Sequence, residues 1–234
     1  MLPIRDNVPT RTFPAVTVGL IAANTLVWFW ELRQPGVVTH VFRDGFYPCS
    51  LSRPCIPPAP AHPLPWYEGV FTGMFLHASW AHIVGNMLFL WIFGNNVEDA
   101  LGHVRFLVWY LSAGVVATAT QTFVTLHWAT LQDASVPQIG ASGAIAGVLG
   151  AYIVLLPGAR VLTLVLFFIP VQIPALVFLG FWFLFQLYEG DYAITHPQSG
   201  GGVAFFAHVG GFVFGLVTIN LVRRRDWRPA AYAR

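Results

Sequence analysis

Four side chains, Ser142, His208, His82 and Asn86, are of types that together could carry out acyl-transfer chemistry. Ser142 lies in Gly140-Ala141-Ser142-Gly143-Ala144-Ile145-Ala146-Gly147, a set of small residues opening an apolar run that ends at Pro157-Gly158. A hydroxyl entering a membrane helix needs a hydrogen-bond partner, and small neighbours let a second backbone come close. Alone, this stretch reads as packing glue. A histidine at the same depth on another helix changes the reading, because a serine and an imidazole in contact are a nucleophile and its general base.

The elements that must hold these groups are apolar. Of 234 residues, 56% are hydrophobic and 9% charged, too little charge for a water-soluble surface. All 12 basic residues are arginine, and no basic patch with spaced aromatics appears, which argues against nucleic acid as a partner. Cys49 and Cys55 cannot make a zinc site by themselves.

The expected architecture is an all-α polytopic membrane protein of six transmembrane helices. They fall at about 13–32, 79–97, 104–126, 141–156, 161–188 and 203–222, in a single membrane domain over residues 1–234. A long exterior loop, residues 33–78, follows the first helix. Ser79 is the expected cap of the second helix, with Val70–Leu76 an interfacial loop before it. Pro170 and Pro174 are expected to bend the fifth helix.

Six spans put both termini on one side. Arg5, Arg11, Arg105, Arg160, Arg223, Arg224, Arg225, Arg228 and Arg234 then share it, against Arg33, Arg43 and Arg53 opposite, so the termini are assigned to the cytoplasm. That assignment puts Cys49 and Cys55 outside, where a disulfide is chemically allowed.

The second, fourth and sixth helices run inward. Counting back from Glu98, Pro157 and Arg223, the residues His82, Ser142 and His208 fall at nearly one depth. At 1.5 Å per residue this is about 22–24 Å above the inner border, roughly 6–8 Å below the outer edge of a ~30 Å core. Asn86 shares a helix face with His82. These two side chains and the Ser142 backbone N–H can donate to an oxyanion, and such donors contribute about 3–4 kcal/mol each. Without a carboxylate at this level, the base acts in a dyad. Gly143 and Gly147 on the fourth helix, with Gly211 and Gly215 on the sixth, flatten two faces for close packing.

Three motifs carry a resemblance: His82-x-x-x-Asn86, Gly140-x-Ser142-Gly143, and Ala207-His208-x-x-Gly211-x-x-x-Gly215. In order and spacing they are similar to the rhomboid family of intramembrane serine proteases. The resemblance implies Ser142 as nucleophile, His208 as base, and His82 and Asn86 lining the oxyanion hole. It further implies transmembrane protein substrates in the lipid bilayer and cleavage near the outer face, with no cofactor. It makes the fifth helix and the loop Glu189–Gly202 a lateral gate and cap, and it suggests a bacterial inner membrane. Some members carry an aromatic one turn after the nucleophile, stacked on the histidine. Here that position is Ala146, so His208 must be oriented from elsewhere.

The remaining histidines read more plainly. His77 is interfacial, His103 belongs to a cytoplasmic turn with Arg105, and His40, His62, His127 and His196 are loop residues. A metal held by His77, His82 and His208 lacks a carboxylate or cysteine at that depth.

Overall fold

The computed structural model describes residues 1–33, 41, 43–52, 54–57, 59–60, 62–166, 168–195 and 204–229. His40, Arg53, His196 and Arg234, with residues 34–40 of the first loop, 196–202 of the expected cap and Val203, lie outside the described residues.

Helix α1 (Ala15–Arg33) opens with backbone N–H groups that have no partner in their own helix. A distant carboxylate meets them. Glu98, fully buried, accepts from the backbone of Val16 (2.9 Å) and Thr17 (2.7 Å) and from the Thr17 hydroxyl (2.7 Å). Asp99 accepts from the Thr12 backbone and hydroxyl and from the Trp227 indole. Negative charge at a helix N-terminus is favourable, so Glu98 is an interior cap of α1, while Asp99 ties the segment before the helix to the C-terminal Trp227. His103 Nδ1 lies 2.6 Å from Glu98, its neighbour in the turn.

The first loop holds a 3₁₀ turn (Pro48–Leu51) and helix α2 (Trp66–Gly73), so part of the segment expected as interfacial loop is helical. Cys49 and Cys55 are joined in a disulfide. Helix α3 (Trp80–Phe89) is capped by the Ser79 hydroxyl, which accepts from the His82 backbone. It runs into a buried π turn (Leu90–Gly94) and helix α4 (Asn95–Leu101). Helix α5 (His103–Trp128) and the short α6 (Leu131–Ala134) follow, then α7 (Ser142–Leu155).

The expected fifth helix differs most. Arg160–Val165 (β2) and Ile169–Pro174 (β3) form an antiparallel hairpin, and helix α8 (Ala175–Thr195) begins only after Pro174. A strand at the N-terminus, β1 (Leu2–Asp6), pairs with β2, giving the sheet order β1-β2-β3. The physical reason lies in the prolines. Each removes a helix donor, whereas an edge strand such as β3 tolerates them.

Among the described residues, three helices are long and apolar enough to cross a membrane: α1, α5 and α9 (Phe205–Val222). At the centre, α7 is buried from Gly143 to Tyr152 and sits between α5 and α9. Cβ atoms added at Gly143 and Gly147 would lie 2.7 Å from the methyls of Ala117 and Ala113 on α5. On the other side, a Cβ at Gly211 or Gly215 of α9 would overlap the carbonyl oxygen of Gly143 or Gly147. Backbone lies against backbone. The sheet closes the opposite end, where Tyr152 donates to Asp6 (2.5 Å), which also accepts from Asn96 (2.8 Å).

Candidate active site

The start of α7 is set by the loops packed around it. Phe46 and Gln138 exchange two backbone hydrogen bonds, and Gly140 N–H donates to the Gly73 carbonyl (2.7 Å). Gly140 takes φ +105°, and a Cβ there would stand 2.5 Å from His82 Nε2. Only glycine suits both conditions. The next turn presents Ser142, half-buried, at the N-terminus of α7. There the first backbone N–H groups have no intrahelical acceptors.

The glycine contact brings α9 alongside, and His208 Nε2 lies 2.8 Å from Ser142 Oγ. The other ring nitrogen, Nδ1, lies 2.6 Å from Gln186 Oε1 on α8. Trp182, one turn earlier on α8, sets its ring 5.7 Å from the imidazole, tilted by 40°. The N-terminus of α9 is held by Gln121 of α5, whose Oε1 accepts from the Phe206 (3.0 Å) and Ala207 (3.2 Å) backbones.

His82 and Asn86 share one cavity of about 670 Å³ with Ser142, His208, Gln121 and Trp182. Asn86 is fixed by a residue that sequence reasoning set aside. Buried His77 places Nε2 3.0 Å from the Asn86 amide nitrogen and Nδ1 3.1 Å from the Phe75 carbonyl. The carbonyl can only accept, so Nδ1 carries the proton and Nε2 accepts from Asn86. His77 thus anchors Asn86 rather than lying free at an interface. His127 is on α5 and bonds back to the Phe123 carbonyl (2.7 Å), not in a loop.

The structure therefore gathers Ser142, His208, His82 and Asn86 around one space, with Gly140 against His82 and with Gly143, Gly147, Gly211 and Gly215 in the seam where α7 meets α9. Gln186, Trp182 and Gln121 were not singled out from the sequence. The signal for Gln186 was present: it is the amide within the apolar run Phe181–Leu187, and polar groups in such helices need partners.

The fold and cavity are those of a mostly helical membrane protein with a serine and a histidine in hydrogen-bond contact. Residues 65–225 match the family model described as "Rhomboid domain", and the chain belongs to the rhomboid family. It is similar to the presenilin-associated rhomboid-like protein, mitochondrial, of Mus musculus: 30% identical over 216 residues, 90% of this chain and 49% of that protein. It also resembles Rhomboid protein 1, mitochondrial, of Saccharomyces cerevisiae: 31% over 145 residues, 61% of this chain and 38% of that protein. A shorter match, 39% over 82 residues, is to Rhomboid-like protein 11, chloroplastic, of Arabidopsis thaliana, covering 35% of this chain and 26% of that protein. The chain spans about half the length of the mouse relative. These names are mitochondrial and chloroplastic, and they lend no support to the bacterial inner membrane expected above.

Proposed function

We propose that the protein is an intramembrane serine endopeptidase that cleaves transmembrane protein substrates near the outer membrane face. The observation that carries this reading is the 2.8 Å contact between Ser142 Oγ and His208 Nε2 beside a cavity that His82, Asn86 and Gln121 also border. In the proposed reaction His208 Nε2 accepts the Ser142 proton as Oγ attacks a substrate carbonyl. The same proton then passes to the leaving amine, and a water completes hydrolysis of the acyl-enzyme. His82, Asn86 and the Ser142 backbone N–H donate to the oxyanion.

In this reading α1, α3 to α4, α5, α7, α8 and α9 make six crossings, with both termini on the arginine-rich side. Helix α7 supports a site sunk below the surface. Its 14 residues span about 21 Å, short of a ~30 Å core. The irregular backbone from Gln138 to Ala141 then lies at membrane depth, a position tolerated where it borders a wet cavity.

The test uses purified protein in detergent or liposomes with a transmembrane reporter whose helix is weakened by glycine or proline near its outer end. Ser142→Ala is expected to abolish cleavage while the thermal unfolding midpoint stays close to that of the parent. Undiminished cleavage by the variant would refute the proposal.

A further inference from the structure

We infer that Gln186 is a positioning residue for the dyad, holding His208 in the tautomer and orientation that general-base catalysis needs; this rests on the protease reading above. The contact is short, 2.6 Å from Gln186 Oε1 to His208 Nδ1, and Gln186 is buried in a helix whose neighbouring residues Phe185 and Leu187 are exposed. An amide oxygen only accepts, so Nδ1 must carry the hydrogen. In a neutral ring Nε2 is then the bare nitrogen, and Nε2 is the atom 2.8 Å from Ser142 Oγ. The opposite tautomer would leave Nδ1 lone pair against oxygen lone pair, and a proton on Nε2 would stop it from accepting from serine.

Trp182 and Gln186 are four residues apart and so share one face of α8. One supplies a ring beside the imidazole, the other a hydrogen-bond acceptor. Together they provide the orientation that the methyl group of Ala146, on the nucleophile helix, cannot give. A carboxylate would perform the same service, as in Ser-His-Asp triads. An amide does so without placing a charge in an apolar helix. Besides His208, the titratable side chains bordering this cavity, among the described residues, are His82 and Asp133, and the hydrogen-bond partner of Nδ1 is Gln186.

The experiment compares Gln186→Leu, Gln186→Glu and Ser142→Ala in reporter cleavage and in the rate of labelling by a fluorophosphonate serine probe. Gln186→Leu is expected to lower kcat and labelling about tenfold with KM within about twofold, since one hydrogen bond of ordinary strength is lost. Gln186→Glu, which keeps an acceptor oxygen at that reach, should recover most of the rate. The assignment is overturned if Gln186→Leu keeps kcat within twofold, if KM rises while kcat holds, or if the Glu variant is as slow as the Leu variant. Thermal midpoints of both variants within a few degrees of the parent exclude misfolding as the cause. Ser142→Ala separates the two claims. If it cleaves normally, the protease reading has failed; if it is dead while Gln186→Leu is active, only the role of Gln186 has failed.

Discussion

Gly211→Ala tests whether the glycine contact between α7 and α9 sets the distance on which the chemistry depends. A Cβ at residue 211 would lie 3.1 Å from the Gly143 carbonyl carbon and closer still to its oxygen. Carbon atoms rest at about 3.5–4.0 Å, so clearing the carbonyl carbon alone parts the helices by roughly 0.5–1 Å at this level, and the nearer oxygen demands more. Ser142 adjoins Gly143, and His208 is one turn from Gly211, so most of that separation reaches the dyad. The 2.8 Å contact becomes roughly 3.3–3.8 Å or longer, beyond a good hydrogen bond. Misplacement by about 1 Å costs on the order of 100-fold in rate, and overpacking of this kind costs about 1–3 kcal/mol in stability. The assay is fluorophosphonate labelling alongside reporter cleavage, with Gly19→Ala as control, because nothing lies within 4 Å of a Cβ there. Gly211→Ala should fall about 100-fold in both assays while Gly19→Ala matches the parent. If Gly211→Ala retains labelling within threefold, the α7–α9 contact does not govern the dyad spacing.

Two further outcomes follow from other contacts. Gly190 and Phe205 join α8 to α9: a Cβ built on Gly190 stands 3.4 Å from Phe205 Cβ, close to disulfide spacing. The pair Gly190→Cys with Phe205→Cys should cross-link on mild oxidation without slowing probe labelling, because the link holds α8 where Gln186 meets His208; labelling lost on oxidation and regained on reduction would contradict this. Asp6 is held above its ordinary carboxylate value, chiefly by burial, with the Tyr152 hydrogen bond acting the other way. A raised folded value contributes stability in acid that is withdrawn as pH rises through it. Asp6→Asn keeps an acceptor for Tyr152 and Asn96 but cannot ionise, so the parent should lose thermal midpoint relative to the variant as pH rises above the ordinary carboxylate value of about 4. Parallel curves for the two proteins would remove Asp6 from the account.

The sequence made the helices with unbroken apolar runs legible, and it made Ser142 and His208 legible because depth can be counted along a straight helix from a charged border. Depth fixes one coordinate. It leaves open which faces meet, and the glycines at 143, 147, 211 and 215 supplied that second coordinate. The hairpin at 160–174 was hidden because Val161–Val165 is as apolar as a buried helix, and only Pro170 and Pro174 marked the change. Glu98 looked like a turn residue because its partners, Val16 and Thr17, are 82 and 81 positions away. His77 and Gln186 belong to the same class. Each acts through hydrogen bonds to partners outside its own helical turn, nine positions on for His77 and 22 for Gln186, and no local pattern records such bonds.

The relocation of the orienting groups has a consequence for how a substrate enters. An aromatic beside Ser142 on α7 would align His208 whatever the outer helices did, since α7 is enclosed by α5 and α9. Here alignment comes from α8, whose other faces expose Phe181, Leu184, Phe185 and Tyr188. A substrate helix that pushed α8 aside at the level of Gln186 would remove the acceptor from Nδ1 at the moment the base is needed. Under the proposed mechanism, α8 can yield to admit the substrate only if it closes again before Ser142 attacks. Otherwise the substrate must enter past the ends of α8 and leave the Gln186 turn in place. The cross-link between residues 190 and 205 separates these routes when read with the transmembrane reporter rather than the probe. Cleavage that survives the link means that α8 stays seated through turnover, whereas cleavage lost while labelling persists means that it must open first.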